Sequence, residues 1–171
     1  MSLKEKLDAI KQQMGQLPAD VLEKIDYDAH WKIRFRPETT VKVGDVPLQF
    51  FHLGTYFRNP VKIGIVENGK SREITYDPRF FDIAADIAAK ARTQGACFAG
   101  FRLMNRDMQT DWISFLGASY FRTSGPSGQY GMSARGLAIN SGMSEPEEFP
   151  IFKEFYLEKP KAGNADVTIY A

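Results

Sequence analysis

Between Val61 and Tyr76 the chain reads VKIGIVENGKSREITY, and no other segment narrows the possible folds as much. Val61, Ile63 and Ile65 alternate with polar or small residues, the two-residue period of a strand with one buried face. Asn68-Gly69 follows, a pair favoured in type I′ turns because both central residues need positive φ. Ile74 and Tyr76 then resume the alternation. A lone hairpin cannot bury its apolar face, so this one requires further strands beside or opposite it.

The rest of the chain supplies them. PLQFFHLGTYF, residues 47–57, is apolar on both faces, as a central strand is. In WKIRF, Trp31, Ile33 and Phe35 fall on one face and Lys32 and Arg34 on the other, which predicts another strand. Further strands are expected near residues 96–103, 112–122, 129–139, 151–158 and 166–171, separated by Gly, Pro, Ser and Asn. This pattern predicts a mainly β fold, an antiparallel β-sandwich.

Helical periodicity appears twice. Leu3, Leu7, Ile10 and Met14 recur at helical spacing before Gly15 and Pro18, and a second short helix is expected over Ala19 to Ile25. Residues 1–26 therefore read as an N-terminal helical arm, and 27–171 as the sandwich domain. Asp77 and Pro78 suit the start of a helix over RFFDIAADIAAKAR, ended by Gly95 and lying on the edge of the β body.

Composition excludes several functions. Hydrophobic residues make up 43% and charged residues 25%, and the net charge is +1, so no global field favours nucleic acid or an anionic membrane. Cys97 is the one cysteine, so an intrachain disulfide is impossible, and ACFAGF around it reads as core. His30 and His52 stand at spacings that suggest neither a metal pair nor a base for Cys97. There is no P-loop, GxGxxG, HExxH or CxxC, and Ser119 lacks a nucleophile-elbow frame, so no metal or cofactor is expected. Asp107 and Asp111 read as turn residues.

What packing does not explain is LGASYFR, residues 116–122, followed by YGMSARGLAIN, residues 130–140. Both are poor in aliphatic bulk and rich in rings, arginines and small residues. Tyr120 and Arg122 share a strand face with Ala118, while Ser133 and Arg135 alternate against Tyr130. If TSGPSG closes a hairpin, Tyr120 and Arg122 come close to Tyr130. Rings beside arginines and hydroxyls suit a sugar, whose C–H face packs on a ring while its hydroxyls take directional bonds. Aromatics at a sheet edge with snorkelling arginines are the plain alternative. Glu148, in the loop EPEEFP with Glu145 and Glu147, can reach such a site.

These same stretches, with EEFPIFKEFYLEKP, LQFFHLGTYFRNPVKI, ITYDP, FAGFRL and the terminal TIYA, resemble the periplasmic glucan biosynthesis proteins of the G and D type from about Ile25 onward. The resemblance implies a partial sandwich of galactose-mutarotase-like type, continuing past the strand on which this sequence stops. It implies a periplasmic protein, its export signal not within this sequence, that binds and processes β-1,2-linked glucan. Tyr120, Arg122, Tyr130, Ser133, Arg135 and Glu148 are the expected substrate contacts. Paired catalytic acids are expected beyond Ala171, so this stretch alone is expected to lack hydrolase or transglycosylase activity. Two alternatives stand beside that reading: a non-catalytic glucan-binding factor, and a scaffold for the inner-membrane glucan synthase. Exposed sheet edges further suggest a homodimer of the fragment. The sequence departs from the family at Asn140, where Asp is usual, at the turn SGPSGQ, and at Tyr156 and Lys159, which replace Trp and Arg.

Overall fold

The computed structural model describes residues 19–85, 97–125, 127, 129, 131–160 and 166–171. The hairpin opens the account, because its turn chemistry is met: β4 (Lys62–Glu67) and β5 (Lys70–Glu73) pair antiparallel, with Asn68 and Gly69 at φ 52° and 73°. Beside β4 lies β11 (Glu154–Glu158), and beside that β12 (Thr168–Tyr170), giving a four-stranded sheet. The β11–β4 pair is parallel, a departure from the all-antiparallel expectation. A parallel neighbour needs a long crossover, and here four of the six strands of the second sheet intervene between the two strands.

That second sheet has six strands, all antiparallel, in the order β10-β9-β8-β7-β3-β2. They are β2 (Val41–Val43), β3 (Val46–His52), β7 (Phe98–Met104), β8 (Asp111–Leu116), β9 (Tyr120–Thr123) and β10 (Met132–Arg135). The two sheets face each other across phenylalanines, as in a sandwich. Phe101 and Phe115 each lie 5.1 Å from Phe155 of β11, with Ile63, Leu103 and Leu157 fully buried around them. A second aromatic cluster closes the other end. Phe50 stacks on Phe98 at 4.2 Å, and a two-stranded ribbon of β1 (Arg34–Phe35) and β6 (Phe81–Asp82) brings Phe35 against Phe50 and Phe81 against Phe35.

Several segments differ from the sequence reading. Trp31 ends a helix rather than opening a strand. After α1 (Ala19–Lys24), Asp26 caps α2 (Tyr27–Trp31) by accepting a hydrogen bond from the Ala29 N–H at 2.9 Å. The cap outweighs the short alternation of WKIRF, and only Arg34 and Phe35 remain extended. Asp77 and Pro78 do start a helical turn, but it is one 3₁₀ turn, Pro78–Phe80. The chain then goes extended because Phe81 and Ile83 are claimed by the core, at 2% and 6% exposure. Residues 86–96, most of the expected edge helix, lie outside the described residues, as do 1–18 of the arm. The expected strand 112–122 breaks into β8 and β9 at Gly117, which sits at φ +89°, so Ala118 and Ser119 belong to a turn. The expected strand 129–139 is extended only over β10.

Candidate functional site

The six-stranded sheet has two unlike faces. The residue pairs Phe50↔Phe101, Phe101↔Phe115 and Phe115↔Phe121 line up across four strands and point into the core. One residue along each strand, Gln49↔Arg102, Arg102↔Ser114, Ser114↔Arg122 and Arg122↔Ser133 line up across five strands. Because side chains alternate with period two, this entire row lies on the opposite face. Strands are about 4.8 Å apart, so the row runs for about 19 Å across the sheet. Gln49 is 2% exposed, Arg102 and Ser114 are half-buried, and Arg122 and Ser133 are exposed, so the row opens towards β10.

The row is wired at its closed end. Arg102 donates from Nη2 to Gln49 Oε1 at 2.8 Å, and Gln49 Nε2 donates to Thr40 Oγ1 at 3.1 Å. The Arg102 guanidinium lies over the Phe51 ring, 5.7 Å from its centroid. Its Nε is buried with no hydrogen-bond acceptor among the described residues.

At the open end, Arg135 of β10 pairs in register with Tyr120 of β9. The Arg135 guanidinium lies 5.7 Å from the Tyr120 ring and 5.4 Å from the Phe149 ring, between two aromatics. Its Nη2 donates to Ser141 Oγ at 2.9 Å and makes a short ion pair with Glu147. Only 18% of the side chain is exposed. Its Nη1 is buried and, like Arg102 Nε, has no acceptor among the described residues. The Arg135 guanidinium beside Glu147, helped by Ser141, holds that carboxyl below its usual range.

The register therefore brings Tyr120, Arg122, Ser133 and Arg135 to one face, whereas the hairpin read from the sequence set Tyr130 beside Tyr120 and Arg122. Tyr130 lies outside the described residues. Glu148 does not join the cluster through its side chain in any recorded contact. It is exposed, and its backbone N–H donates to Ile139 O at 3.2 Å, pinning the loop. The carboxylate on Arg135 is the neighbouring Glu147, which sequence spacing could not distinguish from Glu148. Sequence reasoning also missed Gln49, Arg102 and Ser114, because only strand register places them in one row.

Other sequence candidates have structural explanations. Ser119 is fully buried in the β8–β9 turn and donates to Leu137 O at 3.1 Å. Asp111 is a buried first residue of β8 rather than a turn residue, whereas Asp107 does accept from Gln109 N in a turn. His52 bonds through its two ring nitrogens to Leu53 O and the Tyr76 hydroxyl, and His30 Nε2 to His52 O. Cys97 is half-buried, and burial and Glu73 push its thiol up, away from nucleophilic character. Among the described residues no three His, Cys, Asp or Glu side chains group as metal ligands, and no helix is long and apolar enough to cross a membrane.

What can such a face do? Two guanidinium groups are held in place on this face, and Tyr120, Arg122 and Ser133 are exposed beside them. A hydrogen bond to a charged group contributes about 1.5–3 kcal/mol. A ligand rich in oxygen acceptors, lying across the strands with apolar patches for Tyr120, fits these demands. Comparison with known proteins supplies the family. Residues 6–171 match the family model described as periplasmic glucan biosynthesis protein, MdoG. The chain is 44% identical to glucans biosynthesis protein D 2 of Ralstonia nicotianae, over 90% of this chain and 31% of the relative. It is also 44% identical to glucans biosynthesis protein D of Xylella fastidiosa and of Xanthomonas oryzae pv. oryzae, each over 87% of this chain and 29% of the relative. The chain thus spans about a third of the length of the curated relatives it matches.

Proposed function

The chain belongs to the periplasmic glucan biosynthesis family, and from that premise we propose that it serves glucan assembly in the periplasm by gripping a β-1,2-linked glucan along the outer row of its six-stranded sheet. The observation that carries this reading is the open end of the row, where exposed Arg122 and Ser133 share one face with exposed Tyr120 and the Arg135 guanidinium against its ring. Glucose hydroxyls supply the acceptors, and the ring faces supply the apolar contact with Tyr120. The linkage comes from the family resemblance, not from the row.

Glu147 does not suit a general acid. Such a group needs its pKa raised, and Glu147 is shifted down by Arg135. In this reading the described face holds the polymer, and any hydrolysis or transfer by the whole protein uses carboxyl groups elsewhere. Calorimetric titration of the full-length protein with linear β-1,2-glucan oligosaccharides tests the grip. Arg102→Met and Arg135→Ala are each expected to weaken binding about tenfold, the equivalent of about 1.4 kcal/mol. Wild-type affinity in both variants would remove the row from the binding surface.

A further inference from the structure

A second surface stands outside that row. Tyr27, Trp31 and Tyr56 are 59%, 66% and 69% exposed, although large aromatic side chains are usually well buried. Tyr27 lies against each of the other two. Tyr27 lies 5.9 Å from Trp31 at 70° and 6.4 Å from Tyr56 at 81°, both edge-on. Three contacting rings that stay this exposed form a patch, not scattered surface residues.

The patch is held from below by main-chain and buried contacts. Asp26 caps the helix that carries Tyr27 and Trp31. In the loop that carries Tyr56, Thr55 N donates to Ile25 O at 2.9 Å and Thr55 Oγ1 donates to Leu22 O at 2.6 Å. Gly54 and Phe57 bond each other's backbones at 3.1 Å in both directions. A Cβ at Gly54 would stand 2.7 Å from the His30 ring, so helix and loop are in close contact. The rings are thus positioned by covalent and hydrogen-bonded neighbours that are themselves ordered, which lowers the entropy cost of ligand binding.

The chemistry of the patch narrows its ligand. Its exposed apolar surface is aromatic; the nearby aliphatics Leu22 and Ile25 are buried. The exposed aliphatics Leu137 and Ile151 lie elsewhere along the chain. Asp26 and Asp28 flank Tyr27, while Lys32 and Arg58 lie exposed near Trp31 and Tyr56. Charges of both signs with acids closest to the central ring do not favour phosphate backbones. Flat rings, two with hydroxyl groups, in a locally balanced field favour the C–H faces of neutral pyranoses.

We propose that Tyr27, Trp31 and Tyr56 form a stacking platform for the glucose rings of a neutral glycan chain, a contact separate from the strand row. The proposal rests on the glucan reading for the identity of the sugar. The platform's loop reaches the row's end of the molecule: a Cβ on Gly117, in the turn before β9, would lie 3.6 Å from Phe57, the residue after Tyr56. One long chain can therefore extend from the platform towards Tyr120.

The given sequence has two tryptophans, Trp31 and Trp112. A full-length variant in which Trp112 and every tryptophan outside this sequence are replaced by Phe leaves Trp31 as sole reporter. Titration with linear β-1,2-glucan oligosaccharides is expected to shift its emission to the blue and to reduce acrylamide quenching at least about twofold, because a ring stacked on sugar loses contact with water. Tyr56→Ala and Trp31→Ala are expected to weaken calorimetric affinity about fivefold at unchanged thermal stability, since both side chains are exposed. Unchanged emission and quenching at calorimetric saturation would overturn the platform while leaving the row intact. Protection of Trp31 that persists in Arg135→Ala at reduced affinity supports two separate contacts. Absence of glucan binding in the wild type would overturn the glucan reading and the platform together, and protection by single-stranded DNA but not glucan would reassign the patch.

Discussion

Arg135 is a cation fixed on four sides, by Tyr120, Phe149, Ser141 and Glu147. The loop that delivers Ser141, Glu147 and Phe149 is closed at its base by the Ile139–Glu148 bridge. Asn140 shows why an amide suits this loop. It adopts φ 55°, a conformation Asn tolerates, and its Nδ2 donates to Pro146 O at 3.2 Å. An ionised Asp would have no proton to donate there. The Glu147 pairing also sets a pH dependence. Its carboxyl is held below the ordinary 4.5, so the pairing stabilises the loop fully above that pH and is lost as pH falls through the lower folded value. Carboxyl ¹³C and loop amide shifts over residues 139–149 are expected to titrate together with a midpoint under 4.5. Glu147→Gln should abolish that step, and a midpoint at or above 4.5 would show that the carboxylate is not held by Arg135.

At the scale of elements, the face exists because register is fixed strand by strand. A slip of one residue would exchange the phenylalanine row for the arginine row. Gly100 guards the register between β7 and β8. A Cβ there would come within 2.0 Å of Phe115 O, a backbone atom that cannot turn aside. Gly100→Ala is therefore expected to destabilise the protein by about 2–4 kcal/mol through displaced backbone, measured by urea unfolding; a loss under about 1 kcal/mol would mean that β8 yields. Local signals were uneven guides to these elements. Asn68-Gly69 identified its hairpin because turn chemistry is local. LGASYFR read as one strand because Gly117 gives no sign of its positive φ in an otherwise extended pattern. RFFDIA read as helix by propensity, yet Phe81 and Ile83 are drawn into the core as extended chain.

For the molecule as a whole, two sheets share a phenylalanine core, and strand edges remain at β2, β5, β10 and β12. Leu137, Met143, Phe149 and Ile151, near the β10 edge, are exposed. Unpaired edges beside exposed apolar side chains favour pairing with another chain. The 171-residue chain by itself is expected to dimerise at micromolar concentration; a monodisperse monomer in light scattering would contradict this. The sheets also account for what a reader of the residues could and could not have known. Alternating hydrophobicity, turn pairs and serial motifs sufficed for the β class, the β4–β5 hairpin and the family, because each is carried by neighbours along the chain. Gln49, Arg102, Ser114 and Glu147 became parts of a site, and Trp31 part of a ring cluster, only through tertiary structure. Their partners lie tens of residues away or depend on a single helix cap, and cross-strand register and burial are properties of the assembled sheets.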